Sequence, residues 1–338
     1  MKFNKQIIAY LVFIIPTLML GQIQTNFSGY FDNYMISGLS DGKIIKIPFR
    51  MINLNIQNSL NDFTLTSNLA MEIQLKSDPF SEKFDADISW DIRELYFTWF
   101  HSLGELRFGK QIHTWGMVDE NSPLDVVSAF DYYYLFFQGS ERKIGTNSIA
   151  FDIYLNNWKF GGVFSPFHQT NRLHGNDGDF PIKMPVVPEP LQMIEINEAS
   201  VEFGGFIERP FDWGDVRLSY FQGFDRVNNF SGVNVFTINE NDLSFFEYDI
   251  AYGFRKTRVL GLGTVLFIED LVLRGDLGFF QTKDLNKTIK TESTIEGYPF
   301  HGDEFPTKEA SDYYQFTFQF EYGLPFDISI GGQYFNYD

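Results

Sequence analysis

The chain contains no cysteine among its 338 residues. That absence removes disulfides, thiolate metal sites, a cysteine nucleophile and a lipoprotein anchor together. Basic residues are scarce: 26 Lys and Arg stand against 44 Asp and Glu, a net charge of −18. Binding nucleic acid requires a basic face, so this balance argues against that class of partner. Long apolar runs are missing too, apart from Ile7 to Leu20. No other segment reaches the roughly 18 uninterrupted apolar residues of a membrane helix. Ile7 to Leu20 follows Lys2 and Lys5 and ends at Met19-Leu20-Gly21 before the polar Gln22. This is the layout of an export signal, so residues 1–21 are expected to be cleaved after Gly21, leaving 22–338 as one domain.

Aromatic residues are abundant, with 39 Phe and 17 Tyr. From Phe63 to Leu75 the apolar Phe63, Leu65, Leu69, Met71, Ile73 and Leu75 alternate with polar residues, broken only at Ser67. Tyr314, Phe316, Phe318, Phe320 and Tyr322 repeat the pattern against Gln315, Thr317, Gln319 and Glu321. Side chains of a strand point alternately to opposite faces, so each segment builds a sheet that is oily on one side and wet on the other. Alternation and turn residues place strands near 26–36, 47–58, 62–75, 91–101, 103–113, 145–155, 158–165, 196–207, 215–224, 254–267, 271–282, 312–323 and 326–337. The connections alternate between short and long along the whole chain, the long ones near 37–46, 76–90, 114–144, 166–195, 225–253 and 283–311. A transmembrane antiparallel up-and-down β-barrel has this rhythm, with tight turns on the periplasmic side and long loops outside the cell. A soluble sandwich gives no reason for it.

The expected thirteenth strand runs outward and the sequence stops at Asp338. An open, odd sheet leaves backbone groups unpaired in lipid, so either alternation misses one strand or the chain is truncated at its C-terminus, and the expectation is the second, part of a barrel of about 14 to 18 strands.

Charges within membrane strands face inward, because on the lipid side they are costly. This nominates Glu72, Glu94, Arg107, Gln111, Asp152, Arg217, Arg274, Asp276 and Glu321 as the lining of a pore. Lys110 falls on the opposite face with Leu106 and Phe108, which a bulge or an early exit from the membrane explains. The long loop from Trp115 to Gly139 contains Tyr132-Tyr133-Tyr134-Leu135-Phe136-Phe137, too greasy to wave in water. It is expected to fold into or over the barrel mouth, with Asp119, Asp125 and Asp131 forming a constriction. Trp115 is expected at the lipid interface.

The stretch Arg93-Glu94-Leu95-Tyr96, Leu106-Arg107-Phe108-Gly109-Lys110-Gln111, Trp115-Gly116, Asp119, Asp125-Val126-Val127 and Asp131 resembles a poorly characterised family of porin-like bacterial outer-membrane barrel proteins. Members read R-E-x-Y, then L-R-x-G-K/R-Q, a W-G, and a D-V-V loop. The likeness covers about 40 residues, and Ser128-Ala129-Phe130 stands where such proteins carry Asn-Pro before the Asp. It implies a channel-forming barrel and no known chemistry.

Enzyme-like signals are thin. No G-x-S-x-G elbow occurs, and nothing in the sequence fixes His113 against Ser140 or Asp119 as a dyad. His168 and His174 with Asp177 and Asp179 lack the spacing of a metal site and read as a solvated loop, and so does the acidic cluster Asp303, Glu304, Glu309 and Asp312, with Ca²⁺ held between lipid head groups as its alternative. No cofactor is expected. The reading is a passive channel for small solutes in outer-membrane lipid, with a barrel that carries lipid or another hydrophobic molecule as the alternative. A homo-oligomer stays open, since the sequence shows no interface signature.

Overall fold

Alternation at period two makes the strands, and left-handed turn residues fold them back. A computed structural model describes residues 23–33, 47–77, 84–135, 139–173, 188–194, 200–239, 242–288, 301–326 and 328–337, with isolated positions 37, 39, 42, 137 and 186. Residues 1–21, expected to be an export signal, lie outside the described residues, as do His174, Asp177, Asp179 and Phe136.

In chain order the strands are β1 (Gln24–Phe31), β2 (Pro48–Leu60), β3 (Phe63–Ser77), β4 (Phe84–His101), β5 (Gly104–Gln111) and β6 (Ala129–Phe130). There follow β7 (Lys143–Ile144), β8 (Thr146–Leu155), β9 (Trp158–Ser165), β10 (Glu202–Phe211), β11 (Gly214–Phe224) and β12 (Asn229–Asn239). The last are β13 (Asp242–Gly253), β14 (Lys256–Ile268), β15 (Leu271–Lys283), β16 (His301–Pro306), β17 (Ala310–Leu324) and β18 (Ile328–Tyr337). Asn156 and Asn157, with φ of 46° and 66°, make the primed turn that joins β8 to β9.

Thirteen strands form one antiparallel up-and-down sheet in the order β1-β2-β3-β4-β5-β8-β9-β10-β11-β14-β15-β17-β18. These are the thirteen segments that alternation marks out. Among the described residues β1 pairs only with β2 and β18 only with β17, so both edges are open.

Three differences from the sequence reading have physical causes. Among the described residues, the connections near 225–253 and 283–311 hold a second sheet in the order β13-β12-β16. The connection expected at 76–90 is mostly strand, because β3 and β4 pair as far out as Ser77 and Phe84. The turn expected from Glu208 to Gly214 shrinks, because Pro210 continues β10. Pairing with β9 ends at Glu208, so no neighbour there asks Pro210 for the N–H it lacks.

The sheet has two unlike faces. One is bare and carries exposed apolar side chains, among them Phe108 (64 %), Leu218 (59 %) and Leu260 (56 %). The other is covered by the segment between β5 and β8 and buries Thr66, Glu72, Thr98, Asp152 and Thr317.

Candidate functional site

Residues 112–145 leave β5, cross the covered face and return to β8. The segment is folded around its own charges. The Asp125 carboxylate accepts from the N–H groups of Trp115 (2.8 Å) and Gly116 (2.9 Å) and receives Lys143 Nζ at 2.7 Å. Fixed this way, Trp115 turns inward, only 4 % exposed, with its ring 5.7 Å from that of Phe206. This corrects the expectation of an interfacial tryptophan: Trp115 and Val127 sit in an apolar cluster with Ala150, Val163, Phe206, Phe221, Val259 and Phe280. Six neighbouring strands each contribute one of those partners. Gly204 makes room for the indole, since a Cβ there would lie 2.7 Å from its ring.

Wall side chains hold the segment's backbone on the β10 to β18 side. Asp276 accepts from the N–H groups of Met117 (2.9 Å) and Val118 (3.1 Å) and from Ser122 Oγ (2.7 Å). Arg217 donates to the Trp115 carbonyl at 2.6 Å. Arg226 donates to the carbonyls of Val126 and Val127 and pairs with Glu202 at 2.8 Å. Further along, Thr317 and Tyr337 both donate to the Asn121 carbonyl, and Gln333 donates to that of Glu120 (2.7 Å).

On the opposite side the anchors are ionic. Arg50 of β2 pairs with Asp131 (3.3 Å) and Glu141 (3.1 Å), and Arg93 of β4 reaches Glu141 at 2.9 Å. Glu72 accepts from Tyr134 Oη (2.8 Å) and from Arg172 (2.7 Å). Burial, reinforced by the Glu72 charge, raises the Tyr134 phenol, which donates as a neutral group. Burial works against the charge of Arg172, but its bonds to Glu72 and the nearby Asp131 raise it overall.

Arg93 is a residue that alternation hides. It directly precedes Glu94, so a regular strand would send the two to opposite faces. The pairing of β3 with β4 shifts register between Asn68 and Leu69, leaving Arg93 as the extra residue of a bulge, and its side chain is buried beneath the segment. Arg50 owes its aim to a similar shift between Arg50 and Ile52. Arg172 and Arg226 lie between strands, where no periodicity marks them.

The two sets of anchors meet. Glu120, whose carbonyl takes Gln333 of β18, receives Arg142 on its carboxylate at 2.5 Å. Next to Arg142, Glu141 accepts from Tyr30 of β1 (3.2 Å). At about 4.8 Å per strand a flat sheet of this width would hold β1 and β18 roughly 58 Å apart. A few side chains bridge them instead, so the sheet is strongly rolled around the segment.

The remaining nominated residues lie on the same face. Glu94 accepts from the Ile112 N–H (2.9 Å), Gln111 donates to the Ser148 carbonyl (3.1 Å), and Arg107 pairs with Asp152 (2.8 Å). Arg274 lies 3.7 Å from Asp119 and 3.6 Å from Glu321. Of the three loop aspartates, Asp125 is spent on backbone N–H groups and on Lys143 of the segment itself and Asp131 on Arg50 of the wall, while the Asp119 side chain remains 59 % exposed. Lys110, on the outward side, turns its amine to the Ile92 carbonyl (2.5 Å) and towards Asp91. His113 is buried, with Nε2 2.9 Å from Ser148 Oγ. Towards the short-turn end, β2 to β5 line an open polar cavity of about 450 Å³, whose lining includes Gln57, Ser59, Thr64, Thr66, Tyr96 and Thr98. Among the described residues no group of three His, Asp or Glu side chains is arranged to hold a metal ion.

No family model and no curated protein matches the chain.

Proposed function

We propose that this chain is a porin-like channel of the bacterial outer membrane, through which small polar solutes diffuse passively alongside the inward-folded segment 112–145. The observation that carries this reading is the division of one rolled sheet into an apolar bare face and a polar face filled by a segment tied to both sheet ends. An apolar surface of this extent wants lipid or a partner. The export signal and the resemblance carried by Arg93 to Asp131 support the same class.

Lipid also demands that β1 and β18 find partners, because each unpaired backbone group there costs several kcal/mol. Every neighbouring pair in the sheet is antiparallel, so its first and thirteenth strands run the same way. Joining them directly gives a parallel pair; a fully antiparallel barrel needs a further strand.

Selectivity follows from the charges left on the polar face. Arg107, Lys159, Arg217 and Arg274 are balanced by Glu105, Asp152, Glu208 and Glu321, which pair with them. Asp119 then tips the path towards cations, since permeation responds to the field of the lining groups. The alternative, a carrier of lipid or another hydrophobic molecule, draws on Tyr132 to Phe137. The structure favours it less: Tyr134 is bonded to Glu72, and Trp115 and Val127 fill the inner apolar cluster.

Planar-bilayer recording of the purified chain tests the proposal. Stable conductance steps with a modest cation preference support it. Silence together with copurified lipid favours the carrier.

A further inference from the structure

Cross-strand register sorts the bare faces of β11, β14, β15 and β17 into rows of equal height. The row nearest the long loops holds Phe224, Lys256, Lys283 and Ala310, and the next holds Gln222, Arg258, Gln281 and Asp312. Below them come Tyr220, Leu260, Phe279 and Tyr314, and below those Leu218, Leu262, Leu277 and Phe316. Each step is about 7 Å along the strand. The three cations and two amides of the upper two rows therefore give way to a row with three aromatic rings and then to hydrocarbon, which is the polarity profile of a membrane from headgroup to acyl chain.

The upper two rows line a cavity of about 550 Å³. Lys256 and Lys283 face each other directly across β14 and β15, an arrangement that repels when nothing anionic lies between. Neither they nor Arg258 is in an ion pair among the described residues, whereas the adjacent Arg255 is bound by Asp284 at 2.7 Å. Asp312 is the one acid of the patch, so three cations outweigh it in a chain of net charge −18. Such an imbalance on the outward face, directly above exposed Leu260 and Tyr314, fits a ligand that is anionic at one end and oily at the other.

We propose that Lys256, Arg258 and Lys283 bind the phosphate-bearing headgroup of an outer-leaflet lipid whose acyl chains lie along the apolar rows beneath. Gln222 and Gln281 flank the cations as further donors to its polar groups. The site rests on the membrane reading given above, and it assigns the long-loop end of the sheet to the outer leaflet.

The test is a binding titration of the full chain in neutral detergent with diphosphoryl lipid A, its dephosphorylated form and inorganic phosphate. The phosphorylated lipid should bind, the dephosphorylated lipid should bind weakly, and inorganic phosphate should not displace the first. Combined Lys256→Glu, Arg258→Glu and Lys283→Glu should weaken binding at least about a hundredfold, since the three cations lost are worth about 1 kcal/mol each and the acids added repel the phosphate. Lys256→Arg with Lys283→Arg should retain it. If the triple variant fails to fold, Arg258→Gln alone should still weaken binding about fivefold. Unchanged affinity in the variant that folds overturns the site, and so does displacement of the lipid by inorganic phosphate at matching concentration. A protein that conducts yet ignores the triple reversal loses the site and keeps the channel. One that binds the lipid through these cations but never conducts loses the channel and keeps the site.

Discussion

The Arg50 guanidinium lies over the Tyr134 ring at 3.7 Å while its edge pairs with Asp131 at 3.3 Å. Both partners of the ion pair have side chains less than 5 % exposed. Removing Arg50 leaves the buried Asp131 with Arg172 alone, at 3.3 Å, and breaking a buried pair is worse than never having built it. Arg50→Ala should destabilise the folded protein by about 3 to 5 kcal/mol, read by denaturant unfolding in detergent. Arg50→Lys should lose less, keeping the charge but not the planar stack.

The inner apolar cluster makes a separate, non-electrostatic claim. Trp115→Ala should cost about 3 to 5 kcal/mol by opening a cavity among the surrounding strands. Gly204→Ala attacks the same contact from the wall: its Cβ would lie 2.5 Å from the Tyr220 carbonyl and 2.7 Å from the indole. A loss of about 1 to 3 kcal/mol is expected, with a shift in Trp115 fluorescence that a distant strand substitution would not produce.

Acid should loosen the segment through His113. Burial, with like charge from Arg107 and Lys143, pushes it down from 6.5 to about 3. Between those values the unfolded chain holds a proton that the folded one refuses. Stability present above pH 6.5 is therefore lost as the pH falls towards 3, by roughly 1.4 kcal/mol per pH unit. His113→Gln removes that contribution, so the variant's unfolding midpoint should fall less steeply than that of the unmodified protein between pH 6.5 and 4. Identical slopes would show that the histidine is not held neutral.

The charge balance of the polar face gives opposite signs for neighbouring substitutions. Asp119→Asn should reduce cation preference and Arg274→Glu should increase it, both read as shifts of reversal potential across a salt gradient. Shifts of the same sign, or none in either variant, would remove these side chains from the solute path.

Much of this architecture was legible in the residues themselves. Alternation located all thirteen strands of the main sheet because one face wants apolar groups and the other tolerates Thr66, Glu72 or Gln319. Within Tyr132 to Phe137, a run too greasy to wave in water, Tyr134 is buried. What escaped was any feature that breaks the period of two. The bulges that turn Arg50 and Arg93 inward leave no compositional trace, and the β13-β12-β16 sheet depends on pairing between distant loops. Trp115 was misplaced because an indole next to a strand end suits an interface equally well. Only the carboxylate of Asp125, holding two N–H groups at that turn, decides its direction.

The absence of native cysteine allows the central division of faces to be read one position at a time. Leu262→Cys and Phe316→Cys, each spin-labelled in reconstituted liposomes, report whether the bare face meets hydrocarbon. A bare face seated in hydrocarbon gives high accessibility to oxygen and low accessibility to a water-soluble nickel chelate at both positions. Water-like accessibility at these positions, in a chain that stays in solution without detergent, would contradict it.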